Sequence, residues 1–162
     1  MRNSLILLFI LVSFNGSAQL YKSMMGLRLD DSRIGLSYTQ RVLPEVSLQV
    51  YGDLASTFVQ SGFVARKHMK IAGRRLNWYP IAGVHAGFFK DFGGFSGVDI
   101  GIGGEYKFIL APVAISFDLV PSVHIGGSHP EWWTMSSMFT IHFILVKDKK
   151  VNLPKRKESD DD

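Results

Sequence analysis

Gly97-Val-Asp-Ile-Gly-Ile-Gly-Gly-Glu-Tyr-Lys-Phe108, a break through Pro112, then Val113-Ala-Ile-Ser-Phe-Asp-Leu-Val-Pro-Ser-Val-His-Ile125 form the most regular part of the chain. In the first half Val98, Ile100, Ile102, Tyr106 and Phe108 share one parity, and Asp99, Gly101, Gly103, Glu105 and Lys107 hold the other. The second half sets Val113, Ile115, Phe117, Leu119, Val123 and Ile125 against Ala114, Ser116, Asp118, Ser122 and His124. Alternation with period two, repeated on either side of a tight break, predicts a hairpin of two long strands. Roughly 9–11 residues is what a tilted strand needs to cross a bilayer. One face is apolar and the other charged, the pattern of a transmembrane barrel with lipid outside and a polar lumen.

The same period runs outward in both directions. Upstream, Met25–Leu29 is a short alternating run, and Asp30-Asp31-Ser32 is a turn. Ile34, Leu36, Tyr38 and Val42 mark a second strand, Leu43-Pro44-Glu45 breaks it, and Val46, Leu48 and Val50 mark a third. A fourth strand is predicted from Phe58 to His68, a basic connector over Met69–Arg75, and a fifth strand over Leu76–Phe89, in which Pro80 costs one ladder bond. Lys90–Ser96 is a Gly-rich loop; the hairpin supplies strands six and seven; strand eight runs from Trp132 or Trp133 to Leu145. Eight strands and no helical period predict an all-β, eight-stranded antiparallel transmembrane barrel with up-and-down meander connections.

The chain's 162 residues suit one domain, and its 46% hydrophobic content does not argue against a barrel, since only alternate residues face lipid. Arg2, the apolar run Leu5–Phe14 and the small residues Gly16-Ser-Ala18 predict a cleaved signal peptide over residues 1–18, too short to span a bilayer as a helix. The barrel is assigned to residues 19–146 and a charged, disordered periplasmic tail to 147–162. A tail of that composition is either a solvated end or an arm for a protein partner. With no cysteine there is neither a disulfide framework nor a thiolate site. A net charge of +4 is too small to point to nucleic acid, and export argues against it.

With both termini on the periplasmic side, Trp78, Tyr106, Phe108 and Phe143 fall at the inner interface and Phe88, Trp132 and Trp133 at the outer one, two aromatic girdles. Gly26-Leu-Arg-Leu29, Leu76-Asn-Trp-Tyr79 leading into Gly83-Val-His-Ala-Gly87, Gly97-Val-Asp-Ile100, Gly104-Glu-Tyr-Lys-Phe108 and Pro112-Val-Ala-Ile-Ser-Phe-Asp118 with Pro121-Ser122 make the chain resemble the small Gram-negative outer-membrane β-barrel family, the porin-like outer membrane protein β-barrel domain. The resemblance implies residence in the bacterial outer membrane, with its lipids and the barrel-insertion machinery as partners. Such barrels end on an aromatic that this machinery reads, whereas here Phe143 is followed by the charged tail.

Lumen parity collects Arg28, Arg41, Asp53, Arg66, Asp99, Glu105, Lys107 and Asp118. Eight strands enclose only enough space for side chains, and isolated buried ions cost several kcal/mol each, so these charges are expected to pair across a filled lumen. Glu105 is expected to partner Arg41 or Arg66, and Asp99 and Asp53 to face Arg28. His85, His124 and His142 share the parity, but His142 lies too far along its strand to share an ion with His124, and two histidines without a third ligand leave no metal site or cofactor predicted. No catalytic residue is assigned. The expected role is non-enzymatic: structural, or narrow-pore transport of small solutes. One alternative is an outer-leaflet lipid-modifying enzyme of acyltransferase or deacylase type, drawing on His124 or His129 with Ser128, Ser122 or Asp99. The other is a soluble secreted ligand-binding barrel, which would invert the two faces.

Overall fold

The computed structural model describes residues 21–72, 75–108, 110–127 and 131–147. The predicted signal peptide, and the predicted tail beyond Lys147, lie outside the described residues. Nine strand segments follow one another: β1 (Tyr21–Leu29), β2 (Arg33–Arg41), β3 (Val46–Ala55), β4 (Phe58–Lys67), β5 (Met69–Ala72), β6 (Leu76–Phe89), β7 (Gly93–Lys107), β8 (Val113–Gly127) and β9 (Trp133–Lys147). Neighbours in sequence pair antiparallel except β4 and β5, which both pair with β6, and β1 pairs with β9 (Leu27 opposite Ile141) to close the sheet.

β4 and β5 are one stave. Both pair with β6 in one register as far as Lys70, Arg66 opposite Ile81 and Met69 opposite Trp78, with a shift before Ala72, so the gap between them falls opposite Tyr79 and Pro80. Proline has no N–H to give to a ladder, which interrupts the pairing there. The His68 N–H is taken instead by the Glu45 carbonyl at 2.7 Å. The basic connector expected over Met69–Arg75 is therefore corrected: Met69–Ala72 continues the strand. With β4 and β5 merged, the barrel has eight staves and closes as an up-and-down meander, leaving no free sheet edge around most of its wall.

Both chain ends of the barrel, Tyr21 and Lys147, lie at one rim (the terminal end), with the β2–β3, β5–β6 and β7–β8 turns. The four remaining connections make the distal end, where Gly93 adopts φ +90°, open to glycine at little cost.

Polarity is inside out. Leu36 (62% exposed) and Ile100 (68%) face outward among a continuous series of apolar side chains, whereas Arg66 and Lys107 are each 1% exposed in the interior. Glycines on the inward parity let the larger lumen side chains lie flat against the wall. A Cβ at Gly103 would run into the Tyr79 ring and the Asp118 carboxylate, and one at Gly62 into the Tyr51 ring.

Candidate functional site

The interior gathers the buried groups of opposite charge among the described residues, and it is built in levels. Nearest the terminal end, Glu105 and Lys107 project from the same face of β7, two residues apart, with Lys107 Nζ 3.0 Å from Glu105 Oε1. The Tyr21 hydroxyl donates to Glu105 Oε2 at 3.1 Å, and Lys107 lies over the Tyr21 ring. His68 Nε2 meets Ser47 Oγ at 2.8 Å, while its Nδ1 stands 3.8 Å from Glu105 Oε1. Arg41, half-buried at the end of β2, is registered against Ser47.

One level up, Arg66 Nη2 donates to Asp118 Oδ2 at 2.7 Å and to Gln49 Oε1 at 2.5 Å. The Tyr79 hydroxyl donates to Asp118 Oδ1 at 2.6 Å, with the guanidinium over its ring. Alongside, Arg28 grips Asp53 through Nε (2.8 Å) and Nη2 (3.2 Å), and covers the Tyr51 ring at 4.1 Å. Bonds between ionised partners of this kind are roughly twice as strong as neutral ones. The space left between Arg28, Arg66, Asp99 and Asp118 is about 30 Å³, room for about one water.

At the third level Asp99 accepts from the Ser122 hydroxyl (2.6 Å), His85 Nδ1 (2.8 Å) and the Tyr51 hydroxyl (3.1 Å). His85 Nε2 stands 3.1 Å from His124 Nδ1, and His124 Nε2 stands 3.2 Å from Thr134 Oγ1. Above them the rings of Phe58, Phe89 and Phe95 pack on one another with centroids 4.9–6.1 Å apart. Phe95 also lies against both imidazoles. These aromatics narrow the distal mouth.

Two of the pairings expected from parity are corrected. Glu105 is not paired with Arg66, because Asp118 and Gln49 occupy that guanidinium one level higher; Lys107 is the cation against Glu105. Asp99 does not face Arg28, which Asp53 occupies; Asp99 is held by His85, Ser122 and Tyr51. Strand tilt sets which staves come level, and alternation carries no information on tilt. His142, deep in the wall, contacts Ser116 at 3.0 Å and has no part in the His85–His124 pair. Alternation would have found Tyr51, Tyr79 and Gln49, which share the charged parity of their strands, but not Tyr21, which a register shift at Ser23 and Met24 puts out of phase with Arg28. It would also have found the phenylalanine roof, since the consecutive Phe88 and Phe89 of one strand must face opposite ways.

Chemically, the arrangement neutralises charge and offers little to a substrate. Ser122 gives its hydroxyl to Asp99 and not to a histidine, so the serine expected for acyl transfer has no base. Ser128 and His129 lie outside the described residues. Ser47–His68 and Ser116–His142 are Ser–His contacts, but all four side chains are buried in the wall without an approach for a carbonyl. The aromatics Trp78, Tyr106, Phe108 and Phe143 lie on the outside toward the terminal end, and Phe88, Trp132 and Trp133 toward the distal end. Also outside is a furrow of about 820 Å³, floored by Gly52, Ser61 and Ala86 abreast on three strands and walled by Leu36, Leu54, Val59 and Phe88.

No family model and no curated protein sequence matches the chain. Among solved structures, the N-terminal β-barrel domain of Pseudomonas aeruginosa OprF is similar, with a TM-score of 0.60 over 77% of this chain and 98% of that one, at 14% identity. At that identity the likeness is one of fold: a closed, eight-stranded, all-antiparallel β-barrel.

Proposed function

From that shared architecture and the inverted polarity of the wall, we propose that the protein is an integral protein of the bacterial outer membrane. Its role in this reading is non-enzymatic: a structural barrel, or a narrow path for ions and small solutes past a lumen filled by its own charged side chains. The observation that carries the proposal is the contrast between Ile100 or Leu36, laid open on the outer wall, and Arg66, Lys107, Glu105 and Asp118, each 1% exposed inside. A soluble protein gains by the opposite arrangement, burying apolar side chains at about 25 cal/mol per Å². Only a hydrocarbon surround makes this one favourable, with the sheet's edges paired by barrel closure.

The two outward aromatic bands fit interfaces at either end of such a wall. Lipid chains would fill the furrow at Gly52, Ser61 and Ala86. The terminal end faces the periplasm, where the segment after Lys147 has room to act as a partner-binding arm. The test is extraction. The protein should leave envelopes only with detergent, resist carbonate, and migrate differently on gels before and after boiling. Carbonate-soluble material without a heat shift would overturn the proposal.

A further inference from the structure

We infer that His85 and His124 form a binding site for a divalent transition metal of the Zn²⁺, Ni²⁺ or Cu²⁺ class just beneath the distal mouth. The two facing ring nitrogens, His85 Nε2 and His124 Nδ1, are 3.1 Å apart. Two imidazoles bound tetrahedrally at about 2.0–2.1 Å from one ion place their nitrogens about 3.3–3.4 Å apart, so a separation of a few tenths of an ångström, with the rings turned so that both lone pairs point at the ion, admits it.

The remaining ring nitrogens have the partners that metal-bound imidazoles need. His85 Nδ1 lies 2.8 Å from Asp99 Oδ1, an acceptor that keeps the proton on Nδ1 and the lone pair on Nε2. Asp99 is itself held by Ser122 and Tyr51. On the other ring, His124 Nε2 lies 3.2 Å from Thr134 Oγ1. Without metal, Nδ1–H of His124 donates to His85 and Nε2 accepts from Thr134. With metal, that ring proton resides on Nε2 and is donated to Thr134, so the Nδ1 lone pair binds the ion and no proton need leave the pair.

Charge and access point the same way. Among the described residues Asp99 has no Lys or Arg partner, whereas Asp53, Asp118 and Glu105 each have one. A cation held by the imidazoles supplies the missing positive charge. Glycine at position 97 is what lets the His85 ring lie against β7 and reach His124: a Cβ there would fall 2.7 Å from His85 Nε2. His124 is half-buried, so water can reach the ion and complete its shell. Among the described residues no group of three or more His, Asp or Glu side chains is placed to hold an ion. Affinity should accordingly be modest, and nitrogen ligands select these metals over Mg²⁺.

The experiment is titration of the untagged, refolded full chain in a non-chelating detergent with Zn²⁺, Ni²⁺ and Mg²⁺, followed by calorimetry, with Cu²⁺ read by electron paramagnetic resonance. One saturable site for Zn²⁺ or Ni²⁺, none for Mg²⁺, and hyperfine structure from two imidazole nitrogens on Cu²⁺ are expected. His85→Ala and His124→Ala should each weaken binding by at least about tenfold, Thr134→Val by a comparable or smaller factor, and His142→Ala not at all. Absence of saturable binding up to about 1 mM metal would overturn the assignment. So would retention of wild-type affinity in either His85→Ala or His124→Ala. Should those variants fail to fold, a wild-type Cu²⁺ spectrum lacking two nitrogen ligands refutes the site by itself.

Discussion

Arg66→Met isolates the claim that the lumen is dry and internally paired. Arg66 is 1% exposed, donates to Asp118 at 2.7 Å and to Gln49 at 2.5 Å, and lies over the Tyr79 ring. Methionine fills much of the aliphatic volume but leaves the Asp118 carboxylate without its cation. Breaking a buried pair from one side costs about 3–5 kcal/mol. Asp118 keeps the Tyr79 hydroxyl at 2.6 Å, which places the expectation at the low end, about 3 kcal/mol. The assay is urea unfolding of the refolded protein in detergent, followed by fluorescence of Trp78, Trp132 and Trp133 and by the heat shift on gels. At a urea dependence of about 1–3 kcal/mol per molar, the midpoint should fall by roughly 1–3 M. Asp31→Asn, in an exposed turn, should move it by less than about 0.5 kcal/mol. Adding Asp118→Leu to Arg66→Met should return a substantial part of the loss, because no uncompensated charge remains. Equal small effects from Arg66→Met and Asp31→Asn would mean that water screens the pair, and the reasoning from a filled lumen would fail.

Ile100→Arg, at the outward midpoint of β7, should cost about 2–4 kcal/mol or block insertion in lipid vesicles, whereas a soluble protein would tolerate it at so exposed a position. Gly103→Ala should lower stability by about 1–3 kcal/mol by driving a methyl into Tyr79 and Asp118, while Gly52→Ala, whose Cβ would meet nothing within 4 Å, should be nearly neutral in the same unfolding assay. Planar-bilayer recordings on the refolded chain should show small, infrequent conductance or none; large steady currents would mean that the charged groups line water. Lys107→Met should destabilise more than Lys22→Met, since Lys107 is the cation at Glu105 and Lys22 is exposed; equal midpoints would refute that pairing.

How much of this was legible in the sequence depended on whether a feature lay along a strand or across strands. Alternation within β2, β3 and β6–β9 carries the barrel and the inward face of Asp53, Asp99, Glu105, Lys107 and Asp118. It fails where the backbone departs from the pleat. At the start of β1 a register shift places both Ser23 and Met24 inward, so two consecutive residues share a face and the period is visible only from Met25 onward. The end of the fourth stave was read as a connector because Lys70 and the following glycine and arginines look like a loop, and the break opposite Pro80 hides the ladder that runs through it. Partner choice was illegible for a different reason. Parity assigned Glu105, Arg66 and Arg41 to one face and one half of the barrel, but which of them are level depends on tilt, and the nearest cation proved to be Lys107 on the same strand.

Below Asp99 the buried charges of the interior are matched level by level. Lys107 answers Glu105, Arg66 answers Asp118 and Arg28 answers Asp53, each within 3.0 Å; tyrosine hydroxyls donate to the second oxygens of Glu105 and Asp118, and Gln49 Oε1 accepts from Arg66. Local matching is what a narrow barrel requires, because in a poorly screened interior an ion matched only by a charge several ångströms away would still bear most of its desolvation cost. The level at Asp99 breaks the rule. Its carboxylate is held by two hydroxyls and an imidazole, it lies nearest the distal mouth, and the imidazole continues into a second, half-buried one. In the levels below, each carboxylate has a cation of the chain beside it. A ligand arriving from the distal side would therefore meet first the level whose carboxylate has no Lys or Arg beside it among the described residues.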